Sequence, residues 1–351
     1  MKLRLTRSSN RRRPRMAADA ALLAGLFLAA AGPSAADTRR EASQKTIEVR
    51  GFTALDVENN RGRIEVVAGP AGRVKISALK TIRALGDESA DELSARTLVE
   101  TEVRSGRLAV RVRYPQRRAI HVNLWEGFNT DEFPRSDVKL TIEVPAGFPV
   151  SLRSSSGDQA TEGLKGSQSL SASSGDVTVV RSGGRVDVHT VSGDVVIDGA
   201  AASVRIATTS GDVDVPSASD SLDVETTSGD IAIDKAPGGV VVHSTSGEVR
   251  VLGAARRVRI GTVSGEIHAG LLSPLFLAKL TTASGDVVAE LDEGLGCTID
   301  MRTGSGSIEL DVPARTRNVS RRAVTALVGD GAAPIEVQSA SGDITITGRS
   351  R

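Results

Sequence analysis

A tripeptide, Ser-Gly-Asp or a near variant of it, returns through residues 156–343 at a fixed interval, and no other feature restricts the fold so strongly. Its Ser stands at Ser156, Ser174, Ser192, Ser210, Ser228, Ser246 and Ser264, six steps of 18 residues, then at Ser284, Ser305 and Ser341, the last step being 36. A constant period of this size marks a repeat architecture in which each unit stacks on its neighbour.

Aligned on that Ser, the flanking residues fall into columns. Four positions before it the column is apolar (Val188, Ile206, Val224, Val242, Ile260, Leu280, Met301), and six before it the same holds. Two before it stands a hydroxyl column: Thr190, Thr208, Thr226, Ser244, Thr262, Thr282 and Thr303. Apolar columns recur three and five positions after it, from Val177 and Val179 to Ile344 and Ile346. Each repeat is therefore two strands of side-chain period two that meet at the tripeptide, where Gly supplies the positive φ of a sharp corner. Identical columns superpose only when the strands are parallel and in register, about 4.8 Å apart.

The predicted fold is all-β: a single-stranded parallel β-helix, or β-solenoid, right-handed by the crossover rule, with ~18-residue coils over residues 151–348. About ten or eleven coils make a rod on the order of 50 Å long. A left-handed hexapeptide helix also uses 18 residues per coil, but it needs an apolar column every six residues, whereas here the apolar columns pair around one corner. No marker falls near position 323, and residues 315–322 are too basic for a core. Residues 315–334 are accordingly read as a degenerate coil or a loop.

Residues 46–150 read as an N-terminal β-rich cap. Apolar and polar residues alternate over 52–57 and 63–66 around the turn Asn59-Asn60-Arg61-Gly62, giving a β-hairpin or a degenerate first repeat. Residues 86–98, acidic at their start and free of Pro, predict one short helix with Asp87 or Ser89 as N-cap. Residues 37–45, polar and charged, read as a disordered lead.

Residues 1–36 have the form of an export signal peptide. Arg11, Arg12, Arg13 and Arg15 precede an apolar run, and Ser34, Ala35 and Ala36 offer a cleavage site before Asp37. The run is well under the ~20 residues of a spanning helix, so the mature chain is expected to be periplasmic or secreted rather than an integral membrane protein. Removing residues 1–36 takes seven basic residues and one acid from a chain of net charge +1, leaving −5. That balance argues against a nucleic-acid partner, whose phosphates call for basic surfaces. Cys297 is the only cysteine, which excludes an intramolecular disulfide.

The acids of the corner form a column that includes Asp176, Asp194, Asp212 and Asp230. One reading is an acidic edge that takes cations or a cationic peptide. The other is a run of turn residues bonded to local backbone and otherwise facing water; the Gly-Gly-x-Gly-x-Asp nonapeptide of calcium-binding solenoids does not occur. The hydroxyl column predicts a ladder inside the corner. Catalytic signatures of the Gly-x-Ser-x-Gly, His-Glu-x-x-His or Cys-His kind do not occur. His189 and His243 occupy equivalent outward positions on different coils, too distant to share a metal. No cofactor is implied. Trp125 and Phe128, rimmed by Glu126 and Asp131, form either a buried cap or a partner-binding loop.

The chain resembles the bacterial "putative adhesin" family of exported, envelope-associated β-strand-repeat proteins. The carriers are Leu55-Asp56-Val57 with Gly62 and Ile64-Glu65-Val66, then Val144-Pro145-Ala146-Gly147, the serial Thr-x-Ser-Gly-Asp motifs, and Pro334-Ile335-Glu336-Val337 ahead of Ser341-Gly342-Asp343-Ile344. The resemblance implies a fold and supplies no catalytic residues. The expectation is an exported, non-enzymatic structural, adhesive or ligand-sensing surface whose partner is an envelope protein, peptide or glycan. The alternatives are an envelope-stress component that binds a protein or cationic peptide along its acidic edge, and a polysaccharide-active β-helix enzyme.

Overall fold

The computed structural model describes residues 38–83, 90–115 and 135–349. The signal segment, the helix-capping Asp87 and Ser89, and both Trp125 and Phe128 lie outside the described residues.

The regular part is the two-stranded coil that the columns predict. Strands β8 (Val150–Ser156) and β9 (Gln159–Glu162) form one layer, and β10 (Gln168–Ser174) with β11 (Val177–Val180) form the next. The pattern continues through β12 (Val186–Ser192), β13 (Val195–Ala200), β14 (Val204–Ser210), β15 (Val213–Ala218), β16 (Leu222–Ser228), β17 (Ile231–Ile233) and β18 (Val240–Ser246). Two long strands then carry the chain through successive layers without a break: β19 (Val249–Ser264) and β20 (Ile267–Ser284), followed by β21 (Val287–Leu291). Pairing is parallel throughout, at 18-residue offsets up to β19, as with Val186 against Val204 and Ser192 against Ser210, and at 20-residue offsets where β20 meets β21. Inward columns such as Val188, Ile206, Val224 and Val242 are wholly buried, each side chain contributing roughly 1.5–3 kcal/mol on leaving water.

The corner needs glycine for two reasons. At Gly175, Gly193, Gly211, Gly229, Gly247, Gly285, Gly306 and Gly342 φ lies between +115 and +152°, a region closed to other L-residues. A Cβ on Gly211 would also stand 2.2 Å from the Gly193 carbonyl oxygen. Stacking as well as bending therefore excludes a side chain.

The segment after the second strand is not featureless. Leu164, Ser182, Ala200, Ala218, Ala236 and Ala254 recur at the same 18-residue step, and all are at most 2% exposed. They form a third inward column. Hydrogen bonds tie this segment from layer to layer, with the amides of Gly183, Ala201 and Ser219 donating to the carbonyls of Leu164, Ser182 and Ala200 at 2.7, 2.8 and 2.8 Å.

Both ends depart from sequence order. Strands β2 (Ala54–Glu58) and β3 (Ile64–Gly69) form a full layer, parallel to β8 and β9. Residues 52–69 are thus a first coil and not a hairpin. On its other side lies a layer made later in the chain, β6 (Arg107–Arg113) and β7 (Arg135–Pro145). No boundary separates a cap at residue 150: one apolar core runs from Phe52 to Ile346. The opposite end repeats the arrangement. The layer of β22 (Cys297–Ser305) and β23 (Ile308–Asp311) is outermost, and the last layer in sequence, β26 (Ala333–Ser341) with β27 (Ile344–Gly348), is inserted beneath it.

Antiparallel strands close these ends. β4 (Arg73–Arg83) pairs with β7, and β5 (Leu98–Arg104) with β6. β1 (Thr38–Glu48) pairs with β4 along its whole length, which corrects the disordered lead. Its order comes from ladder hydrogen bonds and polar anchoring rather than burial: Ser94 Oγ donates to Glu41 Oε2 at 2.5 Å, and Arg39 pairs with Asp91. The Ser94 hydroxyl, with Lys80 nearby, holds the Glu41 carboxyl below its usual range. The helix α1 (Ala90–Arg96) packs Leu93 against Ile82. Residues 315–334 are neither a degenerate coil nor a loop. They hold a hairpin of β24 (Arg315–Val319) and β25 (Ala323–Val328), and β25 lies antiparallel on β22. Arg315 and Arg317 face solvent there, so their charge is no obstacle.

Candidate functional site

Residues three and one positions before each corner Ser point outward from the first strand. In register they line an open groove of about 760 Å³ that runs across the layers from Ser171 to Thr281. Its walls are mostly hydroxyls, with Ser173, Thr209, Thr227 and Thr245 in one column beside the exposed Val191 and Val263. His189, Glu225, His243 and Gly261 belong to the other column. His189 Nε2 meets Asp187 at 2.9 Å, and Arg205 lies 3.7 Å from Asp223 and 3.8 Å from Glu225. His189 and His243 are three layers apart through Ala207 and Glu225, about 14 Å at ~4.8 Å per layer. The two rings share neither a proton nor a metal.

The acidic column has a more definite task than a turn. Asp158 Oδ1 accepts the amide N–H of Asp176 at 3.2 Å, and Asp176 that of Asp194 at 3.0 Å. Asp194, Asp212 and Asp230 accept from Asp212, Asp230 and Glu248, each at 2.9 Å. Each carboxylate therefore ties its own layer to the next, where the sequence suggested a bond within the turn. Near the C-terminal end Asp286 accepts from Asp343 at 2.8 Å, and Asp343 from Ser307 at 2.7 Å. The backbone N–H and then the hydroxyl of Ser307 hold the Asp343 carboxyl below the ordinary range.

The hydroxyl column lies inside, as predicted. Thr208, Thr226 and Ser244 donate to the carbonyls of Ser210, Ser228 and Ser246 at 3.2, 3.0 and 2.9 Å. In the first coil Asn59 takes this position, wholly buried, with Nδ2 donating to Val138 O at 2.7 Å and Oδ1 accepting from the Tyr114 hydroxyl at 2.6 Å. Burial pushes the Tyr114 phenol far above its usual value. Cys297 is fully buried in β22, and burial raises its thiol to about 11. That suits an apolar filler, since a nucleophile needs the thiolate. Among the described residues there is no group of three or more metal-ligating side chains, and no helix is long and apolar enough to cross a membrane.

The groove was the element that sequence reasoning missed. Its columns were visible, but nothing in a one-dimensional pattern says that the outward face of one strand is hollow.

Comparison with solved structures returns a cell adhesion protein from Clostridium sporogenes described as "putative" (11% identity, covering 89% of this chain and 100% of that one, TM-score 0.27). It also returns a "putative adhesin" (12%, 88% and 97%, 0.34) and a "putative lipid binding protein" (14%, 88% and 95%, 0.29), both from Parabacteroides distasonis. At such identities and TM-scores these likenesses carry no information about ligands. Comparison with curated proteins gives no match. The family model described as Toastrack DUF4097 matches residues 94–275 and 235–347, which together span well over half of the sequence, and the chain belongs to that family.

Proposed function

We propose that the protein is an exported binding scaffold of the bacterial envelope that holds an extended ligand on its rod and does not transform it. The observation that carries this reading is the groove: an in-register column sets the hydroxyls of Ser173, Thr209, Thr227 and Thr245 in a row along the axis, and a row of like groups suits an extended, repeating ligand. Its two histidines stand too far apart to act together, which favours binding over acid–base catalysis. Export rests on the arginine-rich start and the short apolar run of residues 1–36.

Purified protein incubated with cell-wall and exopolysaccharide fractions is expected to bind without releasing products. Turnover of any fraction would replace this reading with the enzymatic one. Recovery of the chain in the cytoplasm on fractionation would refute export.

A second reading places a cationic peptide on the acidic edge, because the ladder engages Oδ1 of each Asp and leaves a second carboxylate oxygen. Replacing Asp176, Asp194, Asp212 and Asp230 by Asn keeps an acceptor for the next layer and removes the charge. Salt-sensitive peptide binding that survives this change would exclude the edge as its site.

A further inference from the structure

The groove has a cationic end. Arg259 stands in the outward column five residues before the corner Ser, with Arg257 two residues earlier on the same face. The next layer sets Lys279 beside Arg259, and the preceding layer sets His243 beside Gly261. Lys279 is engaged by Glu336 at 3.0 Å. Arg257 and Arg259 are exposed and have no ion-pair partner among the described residues.

Two smaller hollows meet at Arg259. One, about 430 Å³, is lined by His243, Gly261, Lys279 and Thr281; the other, about 540 Å³, by Val241, Arg257, Phe276 and Leu277. The first shares His243, Gly261 and Thr281 with the main groove, so the three hollows form one trough. Its floor is open at Gly261, where a Cβ would meet nothing nearer than His243 Nδ1 at 3.5 Å. Phe276, 59% exposed, stands at the rim. In the wall the hydroxyl of Thr281 is shielded from solvent yet has no hydrogen-bond partner, and such a group calls for an explanation.

These features select a ligand chemistry. Strands of this face are paired on both sides, so an incoming peptide finds no free ladder to extend. What the trough offers is a run of hydroxyls, each both donor and acceptor. Beside them are an exposed aromatic ring and two guanidinium groups matched to planar or tetrahedral oxyanions. We propose that the trough binds a linear anionic polysaccharide. Sugar hydroxyls lie along the Ser/Thr walls, an acidic substituent meets Arg257 and Arg259, and Phe276 packs against a sugar ring. This inference rests on the binding-scaffold reading and narrows it to a ligand class.

The test is calorimetric titration of the full chain with sodium oligogalacturonate, with neutral dextran of equal length and with poly-L-glutamate of equal charge. Oligogalacturonate is expected to bind at least about tenfold more tightly than either control. Arg257→Glu combined with Arg259→Glu is expected to weaken it by more than about tenfold. Gly261→Leu, which fills the floor, is expected to weaken it about fivefold without moving the thermal midpoint. Unchanged affinity in both variants, or poly-L-glutamate binding as tightly as the glycan, would overturn the proposal. Binding of cell-wall material with no affinity for oligogalacturonate would overturn the ligand class alone and leave the scaffold reading standing. Newly formed reducing ends on any polymer would remove the scaffold reading as well.

Discussion

The two ends of the rod are finished differently. At the N-terminal end both strands of the outermost layer are covered, β6 by β5 and β7 by β4, with β1 beyond. At the C-terminal end β22 is covered by β25, with β24 beyond, while β23 pairs only with β27 among the described strands. Burial follows the cover. Leu140, Ile142 and Val144 in β7 are fully buried, whereas Ile308 and Leu310 in β23 are half-buried. A bare strand edge invites pairing with another chain. One end answers with added strands. The other answers with a four-residue strand whose outward positions are acids, Glu309 and Asp311, since shortness and charge also blunt an edge.

The largest effect that separates the ends is a core truncation. Ile142→Ala should cost about 3–4 kcal/mol and Leu310→Ala about 1 kcal/mol, because the second site is already wet and leaves no closed cavity. Urea unfolding of the two variants checks this, and equal losses would mean that β23 is covered as fully as β7. A smaller effect concerns access to Cys297. Its buried thiol should label slowly at pH 8, and Val324→Asp in the covering strand should speed labelling at least about tenfold. Leu98→Asp on β5 should leave the rate unchanged. Smaller again, Glu309→Thr with Asp311→Thr should make the chain self-associate in sedimentation velocity while its midpoint of unfolding stays put. A monomer at every concentration would show that these acids guard nothing.

The smallest effect is on acid stability. Asp343 has a folded-state carboxyl below its unfolded value. Its contribution is therefore complete above the ordinary Asp range, near 3.9, and is lost as pH falls through the lower folded value. Asp343→Asn should flatten that part of the pH–stability curve. A curve unchanged in shape would mean that the bond to Ser307 does not form in solution.

Much of the fold was legible because periodicity is a one-dimensional signal. The columns at Val188 and Val177 had to stack, and they do. The ends were not legible, because intercalation is a question of which layer a strand joins, and residues 54–58 look the same whether they pair with one layer or another. The hairpin of residues 315–328 was hidden by its arginines, which rule out a core and say nothing about an exposed antiparallel cover. The third column escaped because Ser182 and Ala200 are small residues in a segment rich in them. Of the candidate site, Asp176, Asp194, Asp212 and Asp230 were found as a column, but their bonding across layers depends on carboxylate reach that spacing does not encode. Arg257 and Arg259 stood unnoticed, since only the register of neighbouring layers sets Arg257 beside Leu277 and Arg259 beside Lys279.

The inserted end layers also govern how such a rod can change length. Residues 333–348 sit between two older layers, so a chain cut before them loses an interior layer and strands the one outside it. Nor can a unit be appended after Gly348, because the place beyond it is taken by β22 and β23. A tandem duplication or loss of 18 residues is neutral in register only within the uniform stretch between β8 and β19. Rods of this design lengthen from the middle, like a telescope with fixed end pieces.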